Sequence, residues 1–333
     1  MKCDTNYAIH KSDLRDYHVN HLAYSNNQRL AVIPNGDVGG AGEVIDKEYW
    51  IAYSSNTEWA DKQMHPAPET ALDHIYSGVS FPQEKEFEPI SDKIVIVDAI
   101  NHALSEEMEQ NEKMVIYGQD IADPKGGVFT ATKGLSEKFG TKRVFNSPLA
   151  ESSIVGTAVG MAVTGYKPVV EIQFGDYIWT AMMQIRNEVV TMRYRSNNNW
   201  TCPMVIRVPV GGYIHGALCH SQSIDGYFIH IPGIYIAYPS NASDAKGLLK
   251  MACRMNDPVL FMEHKGLYRQ RYAATKEPDI DYILPFGKGR LVLKGKYLTL
   301  VTWGAMVQKS SEAVQELNLE QDIVEIIDLR TLN

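Results

Sequence analysis

The stretch that decides the fold is PVVEIQFGDYIWTAMMQIRNEVVTMRYRSNNNWTCPMVIRVPV, residues 168–210. Its two ends, PVVEIQF and PMVIRVPV, are continuous apolar runs of strand length. Between them, DYIWTAMMQIRNEVVTMRYR reads as one long helix over 176–195. Two such strands joined through a helix are the unit of a parallel sheet covered on both faces.

The same alternation continues outward. IVIVDAINHALSEEMEQ (94–110) suits a helix, and MVIYGQDI (114–121) suits a buried strand. SPLAESSIVGTAVGMAVTG becomes helical from Glu151. IYIAYP (234–239) and VLFMEH (259–264) are further strands, and SNASDAKGLLKMACRM (240–255) is a helix opened by cap-like Ser240 and Asn241. After Pro285 the pattern restarts as one βαβ unit: YLTLVTWG, AMVQKSSEAVQELN, IVEIIDL. A lone βαβ unit cannot bury a parallel sheet on both faces. It either packs on the preceding domain or opens a second domain that the chain interrupts, and the second is expected. Upstream, the chain is rich in Asn, Asp, Gly and Tyr with weak periodicity. PAPETALDHIYSGVSFPQEKEFEP (66–89) holds one short helical segment between prolines, then a charged linker. The expected organisation is an extension and linker over 1–90, an α/β domain over 91–285 and a partial α/β domain over 286–333.

The chain has 333 residues, 44% hydrophobic and 22% charged, with a formal charge of −8. That balance lacks the basic stripe of a nucleic-acid footprint. Cys3, Cys202, Cys219 and Cys253 lie far apart with no C-x-x-C pair, so neither a disulfide framework nor a zinc site is expected. No run approaches the roughly 18 apolar residues of a membrane helix. The N-terminus resembles neither a signal nor a transit peptide. The expected setting is the cytoplasm, or the mitochondrial matrix in a eukaryote.

Four places are candidates for chemistry. GDVGGAGEV, from Gly36, looks like a phosphate loop but follows a feeble strand, RLAVIPN, and opens no clear helix, so it reads as a plain loop. Glu151 starts an apolar, small-residue helix; it either complements the helix dipole or is a buried acid holding a proton. Gln173, Phe174 and Tyr177 lie at or just past a strand's C-terminal end, where parallel sheets bind ligands. Tyr177 either stacks on a flat ring or packs in the core. His215 and His220 share the loop YIHGALCHSQS with no further metal ligands nearby, which favours acid–base work.

Together the words YGQDIADPKGGVF, RVFNSPLAESSIVG, EIQFGDYIW, HGALCHSQS, PGIYIAYPSNASDAKGLL and VTWGAMV…EIIDLRT resemble the beta chain of the thiamine-dependent 2-oxo acid dehydrogenases. They run in the family's order from about Lys93 to the end. EIQF with DY, and HGAL with HSQS, look most like branched-chain (2-oxoisovalerate) members. The resemblance implies a three-layer α/β/α parallel-sheet fold that binds the pyrimidine of thiamine diphosphate, followed by the start of a transketolase C-terminal-like domain. It implies that Glu151 hydrogen-bonds the aminopyrimidine and thereby promotes the thiazolium carbanion, with Leu149, Gln173 and Tyr177 beside the ring. His220 would serve acyl transfer to lipoyl, and His215 would line the approach. A potassium ion held through backbone carbonyls of Cys202, Met204, Val205 and Asp257 is also implied.

The family's GDG-then-Asn motif for diphosphate and Mg²⁺ is absent, so an alpha chain is expected to hold them. WADKQMHPAPETALDHIYSGV (59–79) is itself similar to the tail of that alpha chain, which suggests the rear part of an alpha–beta fusion. Further implied partners are a second beta chain, a lipoyl domain and the acyltransferase core. The alternatives are a pyruvate or acetoin dehydrogenase beta chain, a non-catalytic scaffold, and a transketolase or deoxyxylulose-phosphate synthase fragment.

Overall fold

The computed structural model describes residues 56–78, 80–318 and 322–332, together with the backbone of two upstream strands. Those strands, β1 (Val19–Tyr24) and β2 (Leu30–Pro34), pair antiparallel. β2 falls on the segment whose sequence reads as a feeble strand. The glycine-rich stretch from Gly36 to Val44 lies outside the described residues. A helix at 56–61 and a 3-10 helix at Pro68–Leu72 belong to the same compact unit, residues 1–73.

Residues 74–333 form a second compact unit. The charged linker runs into β3 (Pro89–Ile94), followed by α1 (Ile96–Gln110). The main sheet is built from β4 (Met114–Gly118), β5 (Val144–Asn146), β6 (Lys167–Glu171), β7 (Val205–Val210), β8 (Tyr235–Ala237) and β9 (Val259–His264). All its pairings are parallel, in the order β5-β4-β6-β7-β9-β8. Two long helices complete this region, α2 (Glu151–Val163) and α3 (Ala242–Arg254).

Every residue of β4, β6 and β7 is buried, which is why these strands read as largely apolar runs, broken only by the charged residues Lys167, Glu171 and Arg207. On one face, Val169, Val205 and Phe261 meet Ile100 and Leu104 of α1 and Leu248 and Leu249 of α3. On the other, Val170, Ile206 and Leu260 meet Ile154, Val155 and Ala158 of α2. Ile178, Ile185 and Val189 of the 175–195 segment join that second core. This is the expected three-layer α/β/α architecture.

The 176–195 helix is not one α-helix. It is a 3-10 helix over Gly175–Ala181, a π-helical turn over Gln184–Val189 and a short α-helix over Met192–Arg195. Periodicity over so short a window cannot separate 3.0 from 3.6 residues per turn. The difference matters, because a 3-10 helix eclipses side chains three apart.

β10 (Thr275–Pro278) pairs antiparallel with β3 at the surface. β11 (Arg290–Leu293), β12 (Gly295–Thr302), α4 (Ala305–Glu316) and β13 (Asp322–Asp328) form the last unit, ordered β11-β13-β12. The chain after β13 rejoins the main sheet. Tyr238 N donates to Arg330 O at 2.8 Å, and Leu332 N donates to Ile236 O at 3.1 Å. The tail that follows the βαβ unit therefore pairs with β8 of the main sheet. No helix among the described residues is long and apolar enough to cross a membrane.

The middle of the sheet holds a fully buried arginine. Arg207 on β7 makes two bonds to Glu263 on β9, at 2.7 and 2.9 Å, and one to Glu171 on β6, at 2.9 Å. Tyr268 adds a hydroxyl donor to Glu263 at 2.6 Å. One positive charge thus faces two carboxylates, and Glu171 receives the smaller share. Burial raises the Glu171 carboxyl to about 7, against the pull of Arg207.

Removing the guanidinium would leave both carboxylates buried and uncompensated. Arg207→Met is expected to cost about 3–5 kcal/mol in urea unfolding. The folded chain also holds a proton on Glu171 more tightly than the unfolded chain, whose carboxyl titrates at its ordinary 4.5. The Glu171 contribution is therefore present below that value and is lost as pH rises from about 4.5 to 7. Glu171→Gln is expected to remove that downward slope from stability measured across this range.

Candidate active site at the switch point of the sheet

The strand order reverses between β4 and β6, because β5 lies on one side of β4 and β6 on the other. Loops leaving these two strands diverge and open a crevice at their C-terminal ends, the usual ligand position in such sheets. Glycine permits the close approach there. A Cβ on Gly118, the last residue of β4, would lie 2.5 Å from the Glu171 carbonyl oxygen.

Glu151 begins α2 at this crevice and is 7% exposed. Gln119, which follows β4, donates its amide N–H to Glu151 Oε1 at 3.2 Å. Thr180 donates its hydroxyl to Glu151 Oε2 at 3.1 Å. The carboxylate thus has two neutral donors, no paired cation among the described residues, and the first turn of a helix behind it. The 3-10 helix supplies this geometry, since it aligns Thr180 with Tyr177 one turn earlier. The single Thr180 hydroxyl proton is shared between Glu151 Oε2 and Tyr177 O, which lies at 3.0 Å.

Tyr177 and His220 form the second group. The Tyr177 hydroxyl lies 2.8 Å from His220 Nε2, and His220 Nδ1 lies 3.1 Å from the Gly216 carbonyl. A carbonyl only accepts, so Nδ1 carries the proton and donates. In the neutral ring Nε2 then accepts from Tyr177. Burial raises the Tyr177 phenol, and the charges of Asp176 and Glu151 add to it, so it stays a donor. Phe174 packs against both rings, at 90° and 4.6 Å from His220 and at 5.4 Å from Tyr177.

The loop carrying His220 is closed at its base by Gly211 N donating to Gln222 O at 2.9 Å. Asp176 Oδ2 accepts from Gln222 N at 3.3 Å. Tyr213, His215 and Ala217 all have positive φ, a conformation that non-glycine residues rarely adopt. Such outliers gather at functional loops. A Cβ at Gly216 would meet His220 Cβ at 2.4 Å, so only glycine lets the loop fold back under the imidazole.

The sequence candidates separate. Glu151, Tyr177 and His220 come together. Gln173 sits beside them and reaches Gln119 O and Asp120 Oδ2 only at 3.4 Å. His215 is exposed, and Leu149 is 81% exposed at the rim. Gln119, Thr180 and Phe174's central packing were not singled out. Gln119 carried one signal, its position directly after a buried strand; Thr180 carried none, because its role depends on helix pitch.

Cys202, Met204, Val205 and Asp257 lie at the other end of the sheet, around the start of β7. Cys202 O and Met204 O already accept backbone N–H groups at 2.9 and 3.0 Å. The Asp257 carboxylate accepts from Ser77 and from Arg193. The buried Lys167 ammonium donates to Met255 O at 2.8 Å and faces the charge of Asp257. Among the described residues no group of three or more His, Cys, Asp or Glu could hold a metal ion.

The family model for the transketolase pyrimidine-binding domain matches residues 92–271, and that for the transketolase C-terminal domain matches 287–333. The 2-oxoisovalerate dehydrogenase subunit beta of Bacillus subtilis is 47% identical over 236 residues, 71% of each chain. The pyruvate dehydrogenase E1 component subunit beta of Bacillus subtilis is 41% identical over 72% of this chain and 73% of its own. The same subunit of Acholeplasma laidlawii is 44% identical over 72% of each. A solved split-gene transketolase, an inactive β4 tetramer, shares the fold with a TM-score of 0.54 and 22% identity over 71% of each chain. On these matches the chain belongs to the transketolase pyrimidine-binding family and, within it, to the beta subunits of 2-oxo acid dehydrogenase E1 components.

Proposed function

We propose that this chain supplies the pyrimidine-binding half of the active site of a thiamine diphosphate-dependent branched-chain 2-oxo acid dehydrogenase. The observation that carries the reading is the buried Glu151 carboxylate, held by two neutral donors at the switch point beside the Tyr177–His220 pair. These residues fit an aminopyrimidine. The ring nitrogen would meet Glu151, and the ring would lie beside Tyr177, Gln173 and Leu149. The exposure of Leu149 suits a rim that a cofactor and a partner chain cover.

Bound there, thiamine diphosphate supplies the carbon nucleophile and electron sink for loss of carbon dioxide from a 2-oxo acid. Glu151 fixes the orientation and protonation of the ring edge it meets. His220 holds a proton at Nε2 when charged and can give it up toward an arriving lipoyl sulfur, while Nδ1 stays anchored on Gly216 O. In the charged ring Nε2–H donates to the Tyr177 hydroxyl oxygen, and after the proton leaves Tyr177 donates to Nε2, so one contact orients the ring in both states. His215 lines the approach to this pair. The diphosphate and Mg²⁺ belong to an alpha partner in this reading, because the GDG-then-Asn motif that holds them in the family is not in the sequence. We leave potassium out of this reading, because Lys167 already brings a positive charge to that corner. The other partners are a second beta chain, a lipoyl domain and the acyltransferase core, in the cytoplasm. Residues 59–79 are read as the tail of an alpha region, 91–285 as the pyrimidine-binding domain and 286–333 as part of the C-terminal domain.

Branched-chain preference rests on the HGAL and HSQS wording and on the 47% match, with pyruvate as the competing substrate. Assembled with its alpha partner, the chain is expected to show a higher kcat/KM for 2-oxoisovalerate than for pyruvate, by roughly 10- to 200-fold per discriminating methylene. A ratio favouring pyruvate would reassign the substrate and leave the chemistry. Glu151→Gln is expected to lower decarboxylation about 10²- to 10⁴-fold with an unchanged melting temperature. Full turnover by that variant would overturn the site assignment. His220→Ala is expected to slow acyl transfer to lipoyl more than decarboxylation followed with an artificial electron acceptor, and equal losses would remove His220 from the transfer step.

A further inference from the structure

One buried charge next to the site has no assigned work. Lys265 directly follows β9 and is 2% exposed. Its ammonium has no hydrogen-bond partner among the described residues. The other buried lysines are paired: Lys167 with Met255 O, Lys246 with Glu106 and Glu277, and Lys250 with Glu106. Lys265 Nζ instead lies 5.5 Å from the centre of the Phe174 ring, the ring that packs at right angles on His220. Asp176 attracts it electrostatically, and Asp176 Oδ1 is also buried without a partner. The other oxygen of Asp176 holds Gln222 N at the base of the His220 loop.

Leaving an ammonium buried without an acceptor is costly, and attraction to a ring face returns only part of that cost. The position is nevertheless tightly defined. Lys265 reaches the His220 loop by two independent routes, through Phe174 to the imidazole and through Asp176 to the Gln222 backbone. Burial lowers its ammonium to about 8, so it remains charged at neutral pH.

We propose that Lys265 is a positioning residue, whose charge locks the Phe174 ring and the base of the 211–222 loop so that His220 keeps its hydrogen bond to Tyr177. The inference rests on the proposed role of His220 for its kinetic consequence, but its geometry does not. A lysine that merely fills space would be replaced by methionine without effect on the imidazole.

The test uses the full chain labelled with ¹³C-histidine, and the His220 signal is assigned by its loss in His220→Ala. Lys265→Met is expected to shift and broaden the His220 Cε1–H signal, while Lys265→Arg, which keeps the cation, retains the wild-type position. Phe174→Leu, which removes the ring and leaves the ammonium, is expected to release His220 in the same way and serves if the methionine variant folds poorly. An unchanged His220 signal in Lys265→Met, or in Phe174→Leu, overturns the inference whatever the enzyme assays give. In the assembled enzyme, acyl transfer is expected to fall about tenfold in Lys265→Met and to recover at least half in Lys265→Arg. If the signals shift as expected while His220→Ala loses both activities equally, the positioning stands and the transfer role of His220 fails.

Discussion

The structure depends on the guanidinium of Arg207 in the middle of the sheet. It ties β6, β7 and β9 together below the ends of the very strands that deliver the site. Phe174 leaves β6, the His220 loop leaves β7, and Lys265 leaves β9. Apolar side chains replacing Arg207, Glu171 and Glu263 together would hold the strands equally well, since whole buried ion-pair clusters are often no more stable than such replacements. What the arginine adds is register. Its fork fits two carboxylates on opposite neighbours only when the three strands are aligned as they are, and that alignment sets the spacing between Phe174, His220 and Lys265.

Above that layer, the site is assembled from groups that are individually ordinary. A glutamate at the start of a helix is common, and so is a tyrosine after a strand. Here the reversal of strand order opens the crevice, Gly118 allows β4 and β6 to close beneath it, and the 3-10 turn brings Thr180 onto the free oxygen of Glu151. The loop with three positive-φ residues is held at both ends, by the Gly211–Gln222 bond below and by the Tyr177–His220 contact above. Its strain is tolerated because these contacts over-determine it.

Much of the fold was readable without coordinates, for a definite reason. Strands β4, β6, β7 and β9 are buried on both faces, so apolar residues dominate them without the alternation of a half-exposed strand, despite the charged residues Glu171, Arg207 and Glu263. Periodicity did not show β1, β3, β5, β10 and β11: β5 is only three residues long, and β3, β10 and β11 carry proline or charged residues such as Asp92 and Lys93. Of the site, Glu151, Tyr177 and His220 were legible as residue types at strand and helix ends. Their mutual contacts, and the separate fate of the exposed His215, were not.

By itself the sequence determined the layer architecture, the positions of the chemical groups along the chain, and the family words that link them. Those properties are local, encoded in hydrophobic pattern and residue identity over windows of about ten residues. Only the tertiary structure decided that Gln119 and Thr180 share the Glu151 carboxylate, that Gly216 lets His220 turn toward Tyr177, and that Lys265 stands unpaired behind Phe174. These depend on helix pitch, on the order of strands in the sheet, and on segments tens of residues apart meeting at one crevice, which no window along the chain contains.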